Sequence, residues 1–507
     1  MLLHCQLIIV SIIFKMIISK WFPIDNEWQT FFIIFISIIF LIIVSYYILD
    51  KKLVSPDSNR RLIHVIIGLM ISMSPHIFVH NTYPSLLALF FVILNTLAFK
   101  TKAFSGIHSQ NRKSYGTIYF PLSYLMITFF FWNYSQFVTL SLLILSLSDP
   151  IAAQIGSNRD SLLKFKIWQD YKTIEGTVAF FISTLIILSI GSYFFMNHHF
   201  TFIIIFVLLT SVFSTIAEIT SKMGTDNFSI PIISILIMIG LNNEISLQSE
   251  NAQIVQTSFL IIIMSLILFF PYQIKSLSLS GYFGSITMGT LIILYGELYH
   301  FVILALFFIL SSLLNIILKK YSLHKSQHSQ RDILQVFCNG GVALVICIYD
   351  FFSPSPFTIY LFSASVAAAM ADTWGTEFGK LSKKLPISVL TFKPLNYGLS
   401  GGITRIGTIG SLLGSSIIGF ITWALTSSGE SLIFGIIIVG FLSSILDSIL
   451  GDKFQAKYQD PEGKILEEPT SDTILISGYN VISNNFVNFI ITLTSPALMY
   501  FIILFLQ

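Results

Sequence analysis

Apolar residues gather along this chain in long blocks, near 2–18, 30–49, 62–80, 84–99, 117–134, 136–148, 177–196, 200–217, 230–242, 256–273, 283–297, 299–318, 334–350, 356–371, 406–426, 431–449 and 476–506, with polar residues in the breaks. A helix crossing the hydrocarbon of a bilayer needs about 20 mostly apolar residues. The blocks therefore predict an all-α polytopic integral membrane protein with about seventeen transmembrane helices. The acidic link near 242–251 divides them into two bundles, 1–250 and 251–507.

Composition agrees. Charged residues make up 10% of the 507, hydrophobic ones 54%, and the mean hydropathy is +0.81. A soluble chain carries roughly 25% charged residues; one with so few cannot cover itself against water, which excludes a string of soluble domains. The 28 basic and 25 acidic side chains nearly cancel and give no reason to expect a nucleic-acid partner. Cys5, Cys338 and Cys347 have no metal-ligand spacing and form no disulfide framework.

The placement of the charges says more. If the chain enters the cytoplasm after Leu49, strict alternation puts nearly every Lys and Arg on that side, the exceptions being Lys15 and Lys20 in the first block. Outer links then carry Asp25, Glu27, Glu244, Glu250, Glu297, Asp350 and Glu430. This is the positive-inside bias, and it predicts a multi-pass cell-membrane protein, bacterial inner membrane by its composition, with its chemistry on the cytoplasmic face. The larger polar breaks, 100–116, 156–176, 321–333, 373–404 and 451–473, all fall on that face.

In the first half, Arg60, Arg61 and His64 open a span, and Arg112 precedes Gly116–Pro121. Asp149 ends a span and begins DPIAAQIG, with Ala152 and Gly156 following. Lys172, Thr173, Glu175 and Gly176 lead into the next span, and Glu218, Asp226, Asn227 and Pro231 come later. A carboxylate at a helix end can hold a divalent cation without standing at bilayer depth, where charge is costly. Lys172 beside the helix start at Gly176 offers a cation and free backbone N–H groups to phosphate. Each residue singly is equally well an anchor, a cap or a dipole partner; as an ordered set they point to a nucleotide site. In the second half, Asp372 ends a span in ADTWGTEFG with Glu377, and Gly398–Gly410 forms a glycine-rich stretch containing Gly401, Gly402 and Arg405 after Lys393. Asp447 precedes Gly451, and Asn485 and Asn488 open the last span. The glycines could equally be tight helix contacts. Paired carboxylates around a glycine-rich loop suit a metal–nucleotide site.

The first set resembles the dolichol kinase and phytol kinase family of CTP-dependent membrane lipid kinases. Asp149, Ala152 and Gly156, then Lys172, Thr173, Glu175 and Gly176, match its nucleotide signature, and Asp226, Asn227 and Pro231 its closing motif. Asp160 stands where the signature has its second glycine, and Tyr171 where it has its first lysine. The second set resembles the membrane family that includes the phytyl-phosphate kinases, through Ala371–Gly379, Gly398–Gly410, Asp447–Gly451, and Asn485 with Val487 and Asn488. Asp149-x-x-Ala152-x-x-x-Gly156 and Asp372-x-x-Gly375-x-x-x-Gly379 also share their spacing.

Together these resemblances imply a fused prenol kinase and prenyl-phosphate kinase using Mg²⁺ and CTP on a membrane lipid substrate. They imply catalytic roles for Asp149, Glu175, Asp372 and Asp447. Nucleotide binding would fall to Gly156, Lys172, Thr173, Gly176, Asp226, Asn227, Lys393, Gly398, Gly401, Gly402, Arg405, Asn485 and Asn488. The metal would sit on Asp149, Glu218, Asp372, Glu377 and Asp447. A lipid cytidylyltransferase, or a transporter built from two repeats, accommodates the same halves.

Overall fold

The computed structural model describes residues 26–101, 114–157, 163–167, 171–243, 250–321, 330–426, 429–469 and 472–506. The first apolar block, Lys15, Lys20, Asp25, Arg112, Asp160 and Glu244 lie outside them. Every later apolar block falls mainly on a helix. Eleven helices among the described residues are long and apolar enough to cross a membrane, and three more are apolar but shorter. Length and composition thus support eleven spans among the described residues and leave the expected count of about seventeen unconfirmed. The described residues divide into two compact units between Ser258 and Phe259, inside the helix Glu250–Gln273.

The first unit contains α1 (Glu27–Asp50), α2 (Pro56–Ser72), α3 (Thr82–Thr101), α4 (Gly116–Phe130), α5 (Ser135–Ser157), a hairpin of β1 (Lys164–Lys166) and β2 (Tyr171–Thr173), α6 (Ile174–Phe195), α7 (Phe200–Ile219) and α8 (Asp226–Asn243). Caps set the helix starts: Ser55 accepts from Ser58 N–H before Pro56, and Thr173 accepts from Gly176 N–H. Helix α5 is the centre, packed on α2, α6 and α8 and more buried than the other candidate spans. Between bulk lipid and this core the hydrophobic effect no longer discriminates, so hydroxyls and close packing hold the helices. Thr184 donates to Ser148 at 3.0 Å, and Ser214 and Ser234 bond at 2.7 Å. One turn of α5, Ile144–Ser148, is π-helical and leads directly into Asp149. Such widened turns recur at functional sites.

The second unit contains α9 (Glu250–Gln273) from Phe259 onward, α10 (Leu279–Tyr295), α11 (Leu298–Lys319), α12 (Ile333–Phe352) and α13 (Thr358–Gly379). Next come β3 (Ile387–Ser388), β4 (Gly402–Ile403), α14 (Arg405–Thr426), α15 (Glu430–Lys453), β5 (Lys457–Gln459), β6 (Ile465–Leu466), β7 (Ile474–Ser477) and α16 (Asn484–Leu506). Its centre is α13, covered by α11, α12, α14, α15 and α16 and buried without a break from Phe362 to Ala371. Small residues make that possible. On α14, Gly407, Gly410 and Gly414 lie on one face, and a Cβ at Gly414 would stand 2.9 Å from the Met370 carbonyl oxygen. β3 pairs with β4, and β5 is flanked by β6 and β7. The block read as 476–506 is a strand end followed by a helix that starts at Asn484.

Candidate functional site

In the first unit, the polar residues converge around the end of α5. The charges acting on Asp149 are those of Asp226, Glu218, Lys172 and Arg60, contributed by α8, α7, β2 and α2. Lys172 Nζ donates to Glu218 Oε1 at 2.5 Å and to its carbonyl oxygen at 3.1 Å. Burial alone would pull the Lys172 ammonium below its ordinary value, but Glu218, then Asp226 and Asp149, hold it above. Lys172 is thus a partner of Glu218 rather than a cation waiting for phosphate. Glu218 keeps only Oε2, buried and without a hydrogen bond, for any other ligand.

Other expected residues take structural positions. Gly156 and Gly176 face each other: a Cβ on Gly176 would stand 3.1 Å from the Ala152 carbonyl and 3.4 Å from Gly156 Cα. The Gly176 N–H is taken by Thr173 Oγ1 at 3.2 Å. These glycines join α5 to α6 instead of forming an open phosphate cradle, because close helix approach demands the same missing side chain. Glu175 Oε1 accepts from Leu163 N–H at 3.3 Å, pinning the β1–β2 hairpin to α6. Asp226 Oδ1 accepts from the backbone and the side-chain amide of Asn227 at 2.9 and 2.8 Å.

Two residues join this cluster that sequence reasoning noticed but did not place in the site. His64 Nε2 lies 3.1 Å from the carbonyl oxygen of Leu145, in the π-helical turn. A carbonyl only accepts, so Nε2 carries the proton. Arg60, one turn earlier on α2, reaches Ser114 Oγ at 3.5 Å. Both line a groove bounded by α1, α2, α3 and α4, whose walls include Ile38, Ile71, Leu87 and Phe91. Arg60, His64 and Asn227 form its polar end, and Ile71 lies roughly 16 Å deeper at 1.5 Å per helical residue. An apolar slot with a few convergent polar groups is the usual build of a small-molecule site.

In the second unit, Asp372 of α13 and Asp447 of α15 are near enough for each side chain to act on the other, and both are half-buried. Neighbouring carboxylates repel unless a proton or a cation offsets their charge. Asp447 Oδ1 is buried with no hydrogen-bond partner. Magnesium is normally held by one or two carboxylates together with substrate phosphates, and this pair fits that use. Glu377 is not a third member: its Oε1 takes Lys380 Nζ at 2.6 Å and Asn315 Nδ2 at 3.0 Å. Among the described residues no three His, Cys, Asp or Glu side chains gather closely enough to hold a metal unaided. The five carboxylates expected as ligands therefore do not form complete metal cages.

The glycine-rich stretch divides. Gly407 and Gly410 are helical and pack on α13. Gly401, at φ +91°, meets the Asp452 backbone, and Gly402 fits against Pro386. Gly398, at φ +83°, has open space where a Cβ would be. Lys393 and Arg405 are exposed. Asn485 is half-buried at the start of α16, and Asn488 donates to Asn339 Oδ1 at 3.3 Å. Glu467, which drew no notice in the sequence, accepts from Ser400 N–H and Oγ and from Gln455, and its charge also acts on Asp447.

Residues 262–495 match the integral membrane protein family DUF92. The chain is 30% identical over 270 residues to Protein PGR of Arabidopsis thaliana, covering 47% of this chain and 93% of that protein. An uncharacterized membrane protein of Methanocaldococcus jannaschii is 28% identical over 184 residues, 36% of this chain and 76% of that one. Phytol kinase of Synechocystis sp. is 21% identical over 202 residues, 39% of this chain and 84% of that enzyme. No solved structure matches.

Proposed function

We propose that this chain, which belongs to the DUF92 family of integral membrane proteins, is a membrane isoprenoid-salvage kinase that phosphorylates a prenol twice, once in each unit. The observation that carries the first step is the α1–α4 groove, apolar along its length and ending at Arg60, His64 and Asn227 beside the Asp149 cluster. A prenol has that form: a long hydrocarbon with one hydroxyl. The 21% identity to a phytol kinase supports the acceptor class. CTP as donor rests on the resemblance of the Asp149–Gly156 and Lys172–Gly176 segments to the lipid-kinase nucleotide signature, with Lys172 and the two glycines shaping the site rather than touching phosphate.

A primary alcohol needs a base as it attacks phosphorus. With Nε2–H donated to Leu145, the second ring nitrogen of His64 is the proton acceptor at the polar end of the groove. Arg60 faces the transferring phosphoryl group. Asp149 and the free oxygen of Glu218 would hold Mg²⁺ with the CTP phosphates. When bound, the ion would neutralise charge on those oxygens. The hydroxyl oxygen bonds to the γ-phosphorus, the bond from that phosphorus to the bridging oxygen breaks, and CDP leaves. In the second unit the acceptor is already an anion and needs no base. There Asp372 and Asp447 would hold Mg²⁺, with Gly398, Arg405 and Asn485 toward the phosphates. Both sites would face the cytoplasm, by the distribution of Lys and Arg.

The test supplies phytol, geranylgeraniol and farnesol, with CTP labelled at the γ- or α-phosphorus, to membranes containing the protein. The expected result is γ-label in a prenyl monophosphate and then a diphosphate, with none from the α-position. Label from the α-position in lipid would make the protein a cytidylyltransferase. No label from either would end the enzymatic reading for these acceptors.

A further inference from the structure

The hairpin joining α13 to α14 has a face that neither protein packing nor water accounts for. Leu385, Ile387, Leu390 and Phe392 are exposed, Phe392 at 81%. Ile387 and Ile403 are register partners across β3 and β4, and both are exposed. The opposite face is the packed one: Pro386 and Ser388 are buried, Gly402 fits against Pro386, and Ser388 Oγ donates to Asp452. Phe392 also sits at φ +56°, a left-handed conformation that bulky residues rarely adopt. A strained turn holding an aromatic ring outward is costly in water and is retained where the ring finds an apolar medium.

Two further observations identify that medium. The apolar face runs on into α14, a candidate span, through exposed Ile403, Ile406, Ile409 and Leu412. And the segment 381–405 carries Lys383, Lys384, Lys393 and Arg405 with no Asp or Glu. Apolar residues rimmed only by cations are the pattern of an element lying in the interfacial layer, its lysine stems along the hydrocarbon edge and their ammonium groups among headgroups.

We propose that the β3–β4 hairpin is an interfacial anchor that lays Ile387, Leu390 and Phe392 into the bilayer surface and engages anionic lipid headgroups through Lys383, Lys384 and Lys393. This removes Lys393 from the nucleotide-binding set. The anchor stands independently of the kinase reading. It would tie the loop between Asp372 and α14 to the membrane's anionic lipid content.

The test uses the full chain in nanodiscs of zwitterionic lipid, with or without phosphatidylglycerol, and a photo-crosslinking phenylalanine analogue in place of Phe392. The expected product is an adduct to lipid acyl chains, enriched when phosphatidylglycerol is present. Changing Lys383, Lys384 and Lys393 to Gln should lower that enrichment by up to roughly fivefold per lysine. The same analogue at Lys464, exposed on the β5–β6 turn, is the control and should give no lipid adduct. Equal labelling at 464, no adduct at 392, or an adduct to a second copy or another protein would each overturn the proposal. Because Phe392 is exposed and the analogue conserves its ring, failure to fold does not confound the result.

Discussion

Replacing Lys172 by Met would leave the Glu218 carboxylate buried without the ionic partner it has among the described residues. The pair is closer than a surface salt bridge, at 2.5 Å, with the two side chains 22% and 9% exposed, and Lys172 makes a second bond to the Glu218 carbonyl. Surface pairs are worth about 0–1 kcal/mol, whereas breaking a buried pair from one side costs about 3–5 kcal/mol. With Glu218 this covered and its Oε2 already unpartnered, Lys172→Met should destabilise the protein by about 3 kcal/mol. Lys172→Met with Glu218→Leu should return most of that loss, since the penalty belongs to the stranded charge. The assay is equilibrium unfolding in detergent, without nucleotide, for both single variants and the double variant. The ion pair also has a pH signature. A raised ammonium stabilises the fold throughout the range below its ordinary value of 10.5, and that stabilisation disappears only as pH climbs through the raised value. A loss below about 1 kcal/mol in Lys172→Met, or a double variant as unstable as the single, would refute this and return Lys172 to service as a free phosphate ligand.

Three other outcomes follow from the same geometry. His64→Ala should slow prenol phosphorylation by about 10²–10⁴-fold, the usual worth of a general base, while conversion of supplied prenyl phosphate is unchanged; turnover measured with each acceptor checks it. Gly414→Leu should push α14 off the Met370 carbonyl and cost about 1–3 kcal/mol or more, read as a lower unfolding midpoint, with Thr408→Leu at an exposed position of α14 as the near-neutral comparison. Ala88→Trp, filling the groove at a buried position, should raise KM for prenols without changing kcat for prenyl phosphate, which steady-state kinetics with both acceptors would show.

The helices were legible because a bilayer demands uninterrupted apolar runs, and nothing shorter can hide one. Asp149, Lys172, Glu218 and Asp226 stood out for the related reason that charge is scarce in such a chain, and the fold does gather them. Their roles were less legible. Gly156, Gly176, Gly407 and Gly410 carry the same local pattern whether a phosphate or a neighbouring helix fills the missing Cβ, and here a helix fills it. Lys172 reads as a phosphate cation only while its partner, 46 residues away, is unknown. His64 meets Leu145 across 81 residues and through a π-helical turn, which has no sequence signature of its own. The strands are two to four residues long, too short for a period-2 pattern, so the end of β7, Ile476–Ser477, merged with the last apolar block.

The central claim is that the two units perform successive phosphoryl transfers. The most direct measurement follows γ-labelled CTP into prenyl monophosphate and diphosphate with Asp149→Asn, Asp372→Asn and Asp447→Asn proteins of verified fold. Asp149→Asn should lose the monophosphate yet convert supplied prenyl phosphate to diphosphate, and either variant of the second unit should accumulate monophosphate. If all three variants lose both steps to the same degree, or none loses either, the two-site mechanism is contradicted.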